Sequence, residues 1–466
     1  MSEAYDYTKG FADRAQVSLR RRDRLRTPLA EGTDRAAGHR VRSLGSLPDP
    51  DSLRDLAAEL RDAVLARLDD HLEALAENWE ANGGRTFFAA DAKEANDYVA
   101  GIVRRTGART AVKSKSMVSE EIRLNHMLQG LGVDVVETDL GEYIIQMAGE
   151  HPSHIVAPAI HRSRQDVARI FSALAGRELP DDAPSLMTFA RERLRQRFLS
   201  ADIGFSGCNF AVSSQGAVCL VTNEGNARMC TSLPKVHVAL MGMERVVAGF
   251  EDLAVMLALL GRSGTGQKLT QYTTLLFGPR KDGERDGPDE SHLVVVDNGR
   301  SEILGSRYGV ALRCIRCGAC LNVCPVFRQL GGHAYDPVYS GPIGAVITPL
   351  LKKTDEAREL AHASTLCGAC TEVCPVRIPL HDLLLELRQD YARASAGGTE
   401  HALYEGWSHA WATPGRYRAF AVSGELLGRA TRSRPLRRVP LPVISRWTRG
   451  RAFPGFPRRI YRSEKD

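Results

Sequence analysis

Apolar residues first recur at helical spacing between residues 49 and 82. Leu53, Leu56, Leu60, Val64, Leu68, Leu72 and Leu75 follow one another at intervals of three and four, so they share one face of a helix. Asp49 or Asp51 can cap its start, and Gly83-Gly84 stops it. The texture then changes. "RTFFAA" (Arg85 to Ala90) reads as a strand, "DAKEANDYVAGIVRRTG" as a helix from an Asp cap to a Gly stop, and "RTAVKSK" (Arg109 to Lys115) as a strand again. "SEEIRLNHMLQGLG" (Ser119 to Gly132) reads as a helix. "VDVVET" (Val133 to Thr138) and "HIVAPAI" (His154 to Ile160) read as strands. Strands separated by helices of this length predict a parallel or mixed α/β sheet. Strands dominate farther on. "NFAVSSQGAVCLVTNEGN" (Asn209 to Asn226) predicts two joined near Gly216, and "KVHVALMGMERVV", "YTTLLF" and "HLVVVD" (His292 to Asp297) predict three more.

This pattern sets the expected organisation. An α/β domain covers 49–300, a cysteine-rich domain 301–390, and an Arg/Trp/Pro-rich region without sustained periodicity 391–466. Residues 1–48 are polar and carry "SLRRRDRLR" (Ser18 to Arg26) with no apolar stretch behind it. They are expected to form a solvated, partly disordered arm rather than an export signal. No run of apolar residues is long enough for a transmembrane helix. The net charge is +6, but fourteen Arg and Lys against four Asp and Glu after residue 400 put the basic excess in the tail. Trp407, Trp411 and Trp447 lie among those arginines without an amphipathic period. Docking to partner subunits is therefore expected there, and nucleic-acid binding is not.

Seven of the ten cysteines fall between Cys314 and Cys374. Clustered thiols without a secretory signal read as metal ligands in a reducing compartment, which points to the cytoplasm. The first motif is Cys314-x2-Cys317-x2-Cys320-x3-Cys324-Pro325, the run of bacterial ferredoxins, whose fourth cysteine ligates the other cluster. The second is Cys367-x2-Cys370-x3-Cys374-Pro375. Crossing the ligands as ferredoxins do gives Cys314, Cys317, Cys320 and Cys374 to one [4Fe-4S] cluster. The other takes Cys324, Cys367 and Cys370, with Ser364 at the fourth place. Zinc is the alternative for paired C-x2-C, but a four-cysteine run closed by Cys-Pro and followed by a second run is the iron–sulfur pattern. Ser364 leaves several readings open: an alkoxide ligand, an iron left to water or His362, a [3Fe-4S] cluster, or a four-iron cluster with Ser364 merely packed beside it. The connection between the motifs has room for helices at Ile343 to Lys353 and Glu356 to Ala363, as in the helical ferredoxin domains of respiratory oxidoreductases.

The cysteine module follows "KSKSMVSEEIRLN" (Lys113 to Asn125), "ETDLGEYIIQMAGEHPSHIVAPAIH" (Glu137 to His161) and "SGCNFAVSSQGAVCLVTNEGN" (Ser206 to Asn226), and "WTRGRAFPGFPRR" (Trp447 to Arg459) comes near the end. Together these resemble the lactate utilisation protein B family, the iron–sulfur subunits of bacterial L-lactate utilisation systems. The resemblance implies an α/β domain similar to the sugar-phosphate isomerase and CoA-transferase-like fold, followed by an α-helical two-cluster domain. It implies an electron-carrying subunit, with A-type and C-type partner proteins, in a system that oxidises L-lactate to pyruvate. The electron acceptor is not named by the sequence, and no catalytic residue is carried over.

Other residues invite chemistry. Glu224 in "TNEGN" follows a predicted strand and suits a substrate hydroxyl, or a plain turn at Gly225. Lys113 and Lys115 in "KSKSM" precede a helix and suit an anion, or a solvated loop. Cys208, Cys219 and Cys230 read as core, and His151, His154 and His161 as packing. No G-x-G-x-x-G opens a βαβ unit, so no flavin or nucleotide site is expected. Three roles fit: an electron-transfer subunit, an α/β domain that itself binds a hydroxy acid or CoA-type ligand with the clusters as its outlet, and a redox sensor.

Overall fold

The computed structural model describes residues 5–395 and 398–430. Its polar N-terminal segment is folded, which corrects the expectation of a solvated arm. Helix α1 (Phe11–Arg20) meets α2 (Arg22–Leu44) at Arg21. The buried face of α2 is Leu25, Leu29, Thr33, Ser43 and Leu44. Thr33 Oγ1 donates to the Leu29 carbonyl at 2.6 Å, so its hydroxyl is satisfied within the helix. A Cβ on Gly32 would sit 2.8 Å from Ile160 Cδ1. Small and hydroxyl residues let this helix lie close to its neighbours, and a search for large apolar residues passes over them.

The long helix expected over 49–82 is two helices, α3 (Pro50–Ala66) and α4 (Leu68–Ala81), broken at Arg67 with φ −132°. The Asp49 side chain caps α3 by accepting from the Ser52 N–H at 3.0 Å. Strand β1 (Arg85–Ala89) and helix α5 (Ala92–Thr106) follow as expected, with the Asp91 cap and Gly107 in the left-handed conformation. Beyond β2 (Thr110–Lys113), one expected helix is split into α6 (Met117–Glu121) and α7 (Leu124–Gly130) by Arg123 at φ 57°. The carboxylates of Glu120 and Glu121 are drawn to Lys113 and Arg300, each within 2.8 Å. Strand β3 (Asp134–Glu137) leads into α8 (Leu140–Ala148).

"HIVAPAI" is not a strand. It is an irregular loop in which His154 Nδ1 accepts from the N–H groups of Val156 and Ala157, and the Ser153 N–H donates to the Pro158 carbonyl. The side chain of His154 takes the N–H groups a ladder would have used, and Pro158 has none to offer. Helices α9 (Arg164–Ala175) and α10 (Ala183–Ser200), strands β4 (Ile203–Ser206), β5 (Phe210–Val212) and β6 (Ala217–Thr222), and helix α11 (Asn226–Ser232) come next. Then come β7 (Val236–Gly242), β8 (Val246–Val247), α12 (Phe250–Gly264), β9 (Tyr272–Leu276) and β10 (Glu290–Val296).

Six strands form a wholly parallel sheet in the order β1-β10-β7-β4-β2-β3. Its central strands are near-continuous apolar runs, as both faces are covered. Four more form a mixed sheet, β8-β5-β6-β9. This second sheet shares one hydrophobic core with the cysteine module: Phe210, Val218 and Val246 belong to the same cluster as Leu312, Phe327 and Leu384.

The cysteine module is short helices on loops. These are α13 (Arg300–Leu304), α14 (Ala319–Val323), α15 (Pro325–Leu330), α16 (Gly341–Lys352), α17 (Asp355–Arg358), α18 (Ala369–Glu372) and α19 (Leu380–Ser395). Helix α16 and α17, with the 3-10 turn after it, occupy the expected positions between the motifs. Helix α2 packs on α12, α14 and α15, so the N-terminal segment is part of the cysteine module's wall.

The described chain divides into two compact units after Arg388. In the second, α20 (Gly398–Trp411) and α21 (Pro414–Ala430) form a hairpin where no periodic element was expected. Trp411 lies between Trp407 and Tyr417, with ring centroids at 5.7 and 5.1 Å. Aromatic contacts at the turn, rather than an apolar stripe, hold it. Trp447 and the rest of the basic tail lie outside the described residues. No described helix is long and apolar enough to cross a membrane.

Candidate functional site: a cavity against the first cysteine loop

The two cysteine motifs adopt the same backbone. Arg316 and Gly318 flank Cys317 with φ 59° and 77°; Leu366 and Gly368 flank Cys367 with φ 54° and 82°. In the first motif the Arg316 N–H donates to Cys314 Sγ at 3.4 Å. In the second the Leu366 N–H donates to Ser364 Oγ at 3.0 Å. Ser364 therefore occupies the place of the first cysteine, with its oxygen where a sulfur would be.

The thiols fall into two neighbouring groups. Burial pushes the Cys317 thiol up to about 12, and the nearby Cys314 and Cys374 add to the rise. Burial likewise pushes Cys370 up to about 12, with Cys324 and Cys367 adding to it. N–H groups face the sulfurs: Ala319 at Cys317, Val326 and Phe327 at Cys324, Thr371 at Cys370, and Ile378 at Cys374, the last at 3.3 Å. Among the described residues no three Cys, His, Asp or Glu side chains converge on one metal ion, as a zinc site requires. Thiols that are grouped yet spread, with N–H donors turned toward them, fit the corners of iron–sulfur clusters.

Arginines surround the first group. Arg54 donates to the Cys374 carbonyl from Nη2 at 2.9 Å, and Arg40 to the Val373 carbonyl at 3.1 Å. Arg245 donates to the Cys314 carbonyl at 2.8 Å, and Arg61 to the Leu312 carbonyl at 3.1 Å. The α/β domain closes over the same loop. A Cβ on Gly264 would meet the Cys317 carbonyl at 2.5 Å, and one on Gly318 would meet His154 and Val156 at 3.1 Å. His154 Nε2 also lies 3.2 Å from Asn322 Oδ1. Cys314, Cys317, Cys320 and Cys374 are all buried; in the second group Cys324 and Cys370 are buried as well, while Cys367 is exposed and Ser364 half-buried.

Against this loop lies a cavity of about 540 Å³. It sits at the carboxyl ends of β2, β3, β4 and β7, where Ser114 to Ser116, Asp139, Gly207, Cys208, Glu244 and Arg245 leave the sheet. Open parallel sheets bind ligands at this edge because the strands end there and loops diverge. Arg316, Cys317 and Tyr339 form the opposite wall. Arg316 lies over the Tyr339 ring at 4.6 Å and reaches Glu244 with Nη2 at 3.3 Å. Burial by itself would raise the Glu244 carboxyl, but Arg300, Arg316 and Arg245 hold it at about 2.

The expected anion residues separate here. Lys115 and Glu224 line the cavity; Lys113 does not. Lys113 Nζ is buried between Glu120 and Glu137, at 2.8 Å from each, so its charge is already matched. This removes it from the anion site. Lys115 Nζ pairs with Glu142 at 2.5 Å. Burial raises the Glu224 carboxyl to about 7, Asp139 adds to the rise, and the Leu140 N–H opposes it. Cys219 and Cys230 are core, as expected, while Cys208 lies on the cavity wall. Arg245, Arg316 and Tyr339 were not singled out from the sequence. Arg316 stands inside the first cysteine motif, at a position that a reading of cysteine spacing treats as filler.

Residues 72–296 match the LUD domain, and residues 310–378 match the 4Fe-4S dicluster domain. "Lactate utilization protein B" of Geobacillus thermodenitrificans is 46% identical over 455 residues, covering 95% of this chain and 94% of its own. The chain belongs to the lactate utilization protein B family. The family member of Shouchella clausii is 50% identical over 368 residues, 78% of each chain. The "Uncharacterized electron transport protein YkgF" of Escherichia coli is 45% identical over 401 residues, 86% of this chain and 84% of its own. The family thus joins a LUD-type α/β domain to a dicluster domain, and here the cavity has walls from both.

Proposed function

We propose that the chain is a cytoplasmic electron-transfer subunit of an assembly that oxidises L-lactate to pyruvate. The observation that carries this reading is the pairing of an enclosed cysteine group beside a cavity with a second group that is buried at Cys324 and Cys370 but open to the surface at Cys367. Cys314, Cys317, Cys320 and Cys374 hold one [4Fe-4S] cluster. Cys324, Cys367 and Cys370 hold three irons of another, and Ser364 stands at the fourth. When bound, these clusters supply one-electron chemistry. The chain's own residues bury the first group, turn N–H groups toward its sulfurs, and surround it with arginines that offset its negative charge. The second group keeps Cys367 open to an outside acceptor.

The names of the relatives supply the substrate, lactate, and the role of electron transport. The partners are the A-type and C-type proteins of the same system. The helical hairpin of residues 398–430 exposes Leu403, Tyr404, Trp407, Trp411 and Phe420, which suits a protein partner. The test is twofold. Anaerobically purified protein should contain iron and sulfide for two clusters, with two reducible signals by electron paramagnetic resonance. A clean deletion, in a strain with no other lactate dehydrogenase, should not grow on L-lactate; normal growth rejects the reading.

A further inference from the structure

We propose that the cavity binds 2-hydroxy carboxylates, gripping the carboxylate with Arg316, and that it binds acids with larger apolar bodies more tightly than lactate. The assignment of a hydroxy acid rests on the reading above; the preference for larger ones comes from the cavity itself.

Arg316 is held for this task by its backbone conformation and two contacts. Its backbone takes the left-handed conformation within the cysteine loop, Tyr339 supports the guanidinium, and Glu244 takes Nη2. The side chain is only 11% exposed, and Nη1 has no hydrogen-bond partner among the described residues. A buried guanidinium N–H without an acceptor is costly, and a ligand carboxylate supplies the acceptor. The other cations of the wall are already matched. Lys115 is paired with Glu142, and Arg245 is engaged by the carbonyls of Cys314 and Asn209.

Glu224 offers the second polar contact. Its carboxyl lies on the wall and takes one N–H, from Leu140, at 3.1 Å. A carboxyl oxygen there accepts from a substrate hydroxyl. Much of the remaining wall is apolar, with Ile144, Val156, Pro158, Leu220, Leu240 and Leu260, beside polar Ser114, Ser116, Asn209, Thr222 and Asn226. The cavity of about 540 Å³ falls within the roughly 300–1,000 Å³ typical of sites for ligands much larger than a three-carbon acid. Lactate alone leaves most of that apolar wall uncovered.

The test is calorimetric titration of the anaerobically purified holoprotein with L-lactate, L-2-hydroxybutyrate and L-2-hydroxy-4-methylpentanoate. Each added carbon that is buried should tighten binding about fourfold. Arg316→Gln should weaken all three acids at least about tenfold while iron content stays unchanged. Leu260→Trp, which fills the apolar side, should abolish the preference for the larger acid. Equal affinity along the series, absence of binding, or an iron-replete Arg316→Gln protein that binds like wild type overturns the proposal. Any of these results leaves the cluster count and the growth phenotype standing, so failure here is distinct from failure of the functional reading.

Discussion

The two cysteine motifs share a fold and differ in surroundings. Both carry the same pair of left-handed residues around their middle cysteine, and both aim an N–H at the atom two residues before it. The first is enclosed by α2, α3, α12 and the His154 loop, and its Cys314 carbonyl is held by Arg245. The second has Arg388, which donates to the Ser364 carbonyl at 2.6 Å, and an exposed Cys367. The same local motif thus becomes an inner site beside a ligand cavity and an outer site at the surface. Burial, donors and nearby charge set a cluster's properties as much as its ligands do.

The sharpest way to break this contrast is to remove a crossed ligand. Cys374→Ala should lose the inner cluster and about half of the iron, although the residue belongs to the second motif. Cys324→Ala should lose the outer cluster instead. Iron analysis with paramagnetic resonance separates these outcomes, and the reverse pattern rejects the crossing. Next in size is the wall of the inner site. Leu29→Ala, at a fully buried position on α2, should cost about 2–5 kcal/mol in unfolding free energy by denaturant titration. An unchanged midpoint would return the N-terminal segment to the status of a solvated arm.

Gly264→Ala is a smaller and more local probe. Its Cβ would press on the Cys317 carbonyl, so it should cost about 1–3 kcal/mol and perturb the inner signal alone. Ser364→Cys should slow iron loss from the outer cluster to a chelator several-fold and leave the inner one unchanged, read as iron release against time. Equal rates would show that Ser364 is not at the fourth iron.

The smallest effect is a titration. The Glu224 carboxyl is raised to about 7, so it is neutral below that pH and ionised above it. Ionised, it repels an incoming carboxylate, as does Asp139 beside it. Lys115, Glu244, Arg245 and Arg316 are the other charged groups of the wall. Affinity for lactate should therefore fall as pH rises through about 7, and Glu224→Gln should flatten that profile. Calorimetry at a series of pH values measures it.

Much of this was legible beforehand. The alternation of strands and helices, the Asp91 and Asp49 caps, and the hairpin at Gly216 follow local rules of periodicity and capping. The misses share a cause. Helix α2 buries three leucines and two hydroxyl residues within an otherwise polar stretch, "HIVAPAI" spends N–H groups on His154, and Lys113 is neutralised by Glu120 and Glu137. Each depends on a neighbour that is distant in sequence or on a side chain's choice among backbone partners.

The sequence by itself determined the cluster chemistry, because ligand identity and three-residue spacing are local and few other sites need them. It also determined an α/β domain with a parallel or mixed sheet and placed Ser364 in register with Cys314. Tertiary structure decided which cysteine group is inner and which is outer, since burial is a property of what packs against a loop. It also decided that Arg316, an unremarked residue between two ligands, faces a cavity with one donor unpaired. That cavity has its walls on segments spread along the chain from Ser114 to Tyr339, and only folding brings the ends of β2, β3, β4 and β7 to the first cysteine loop.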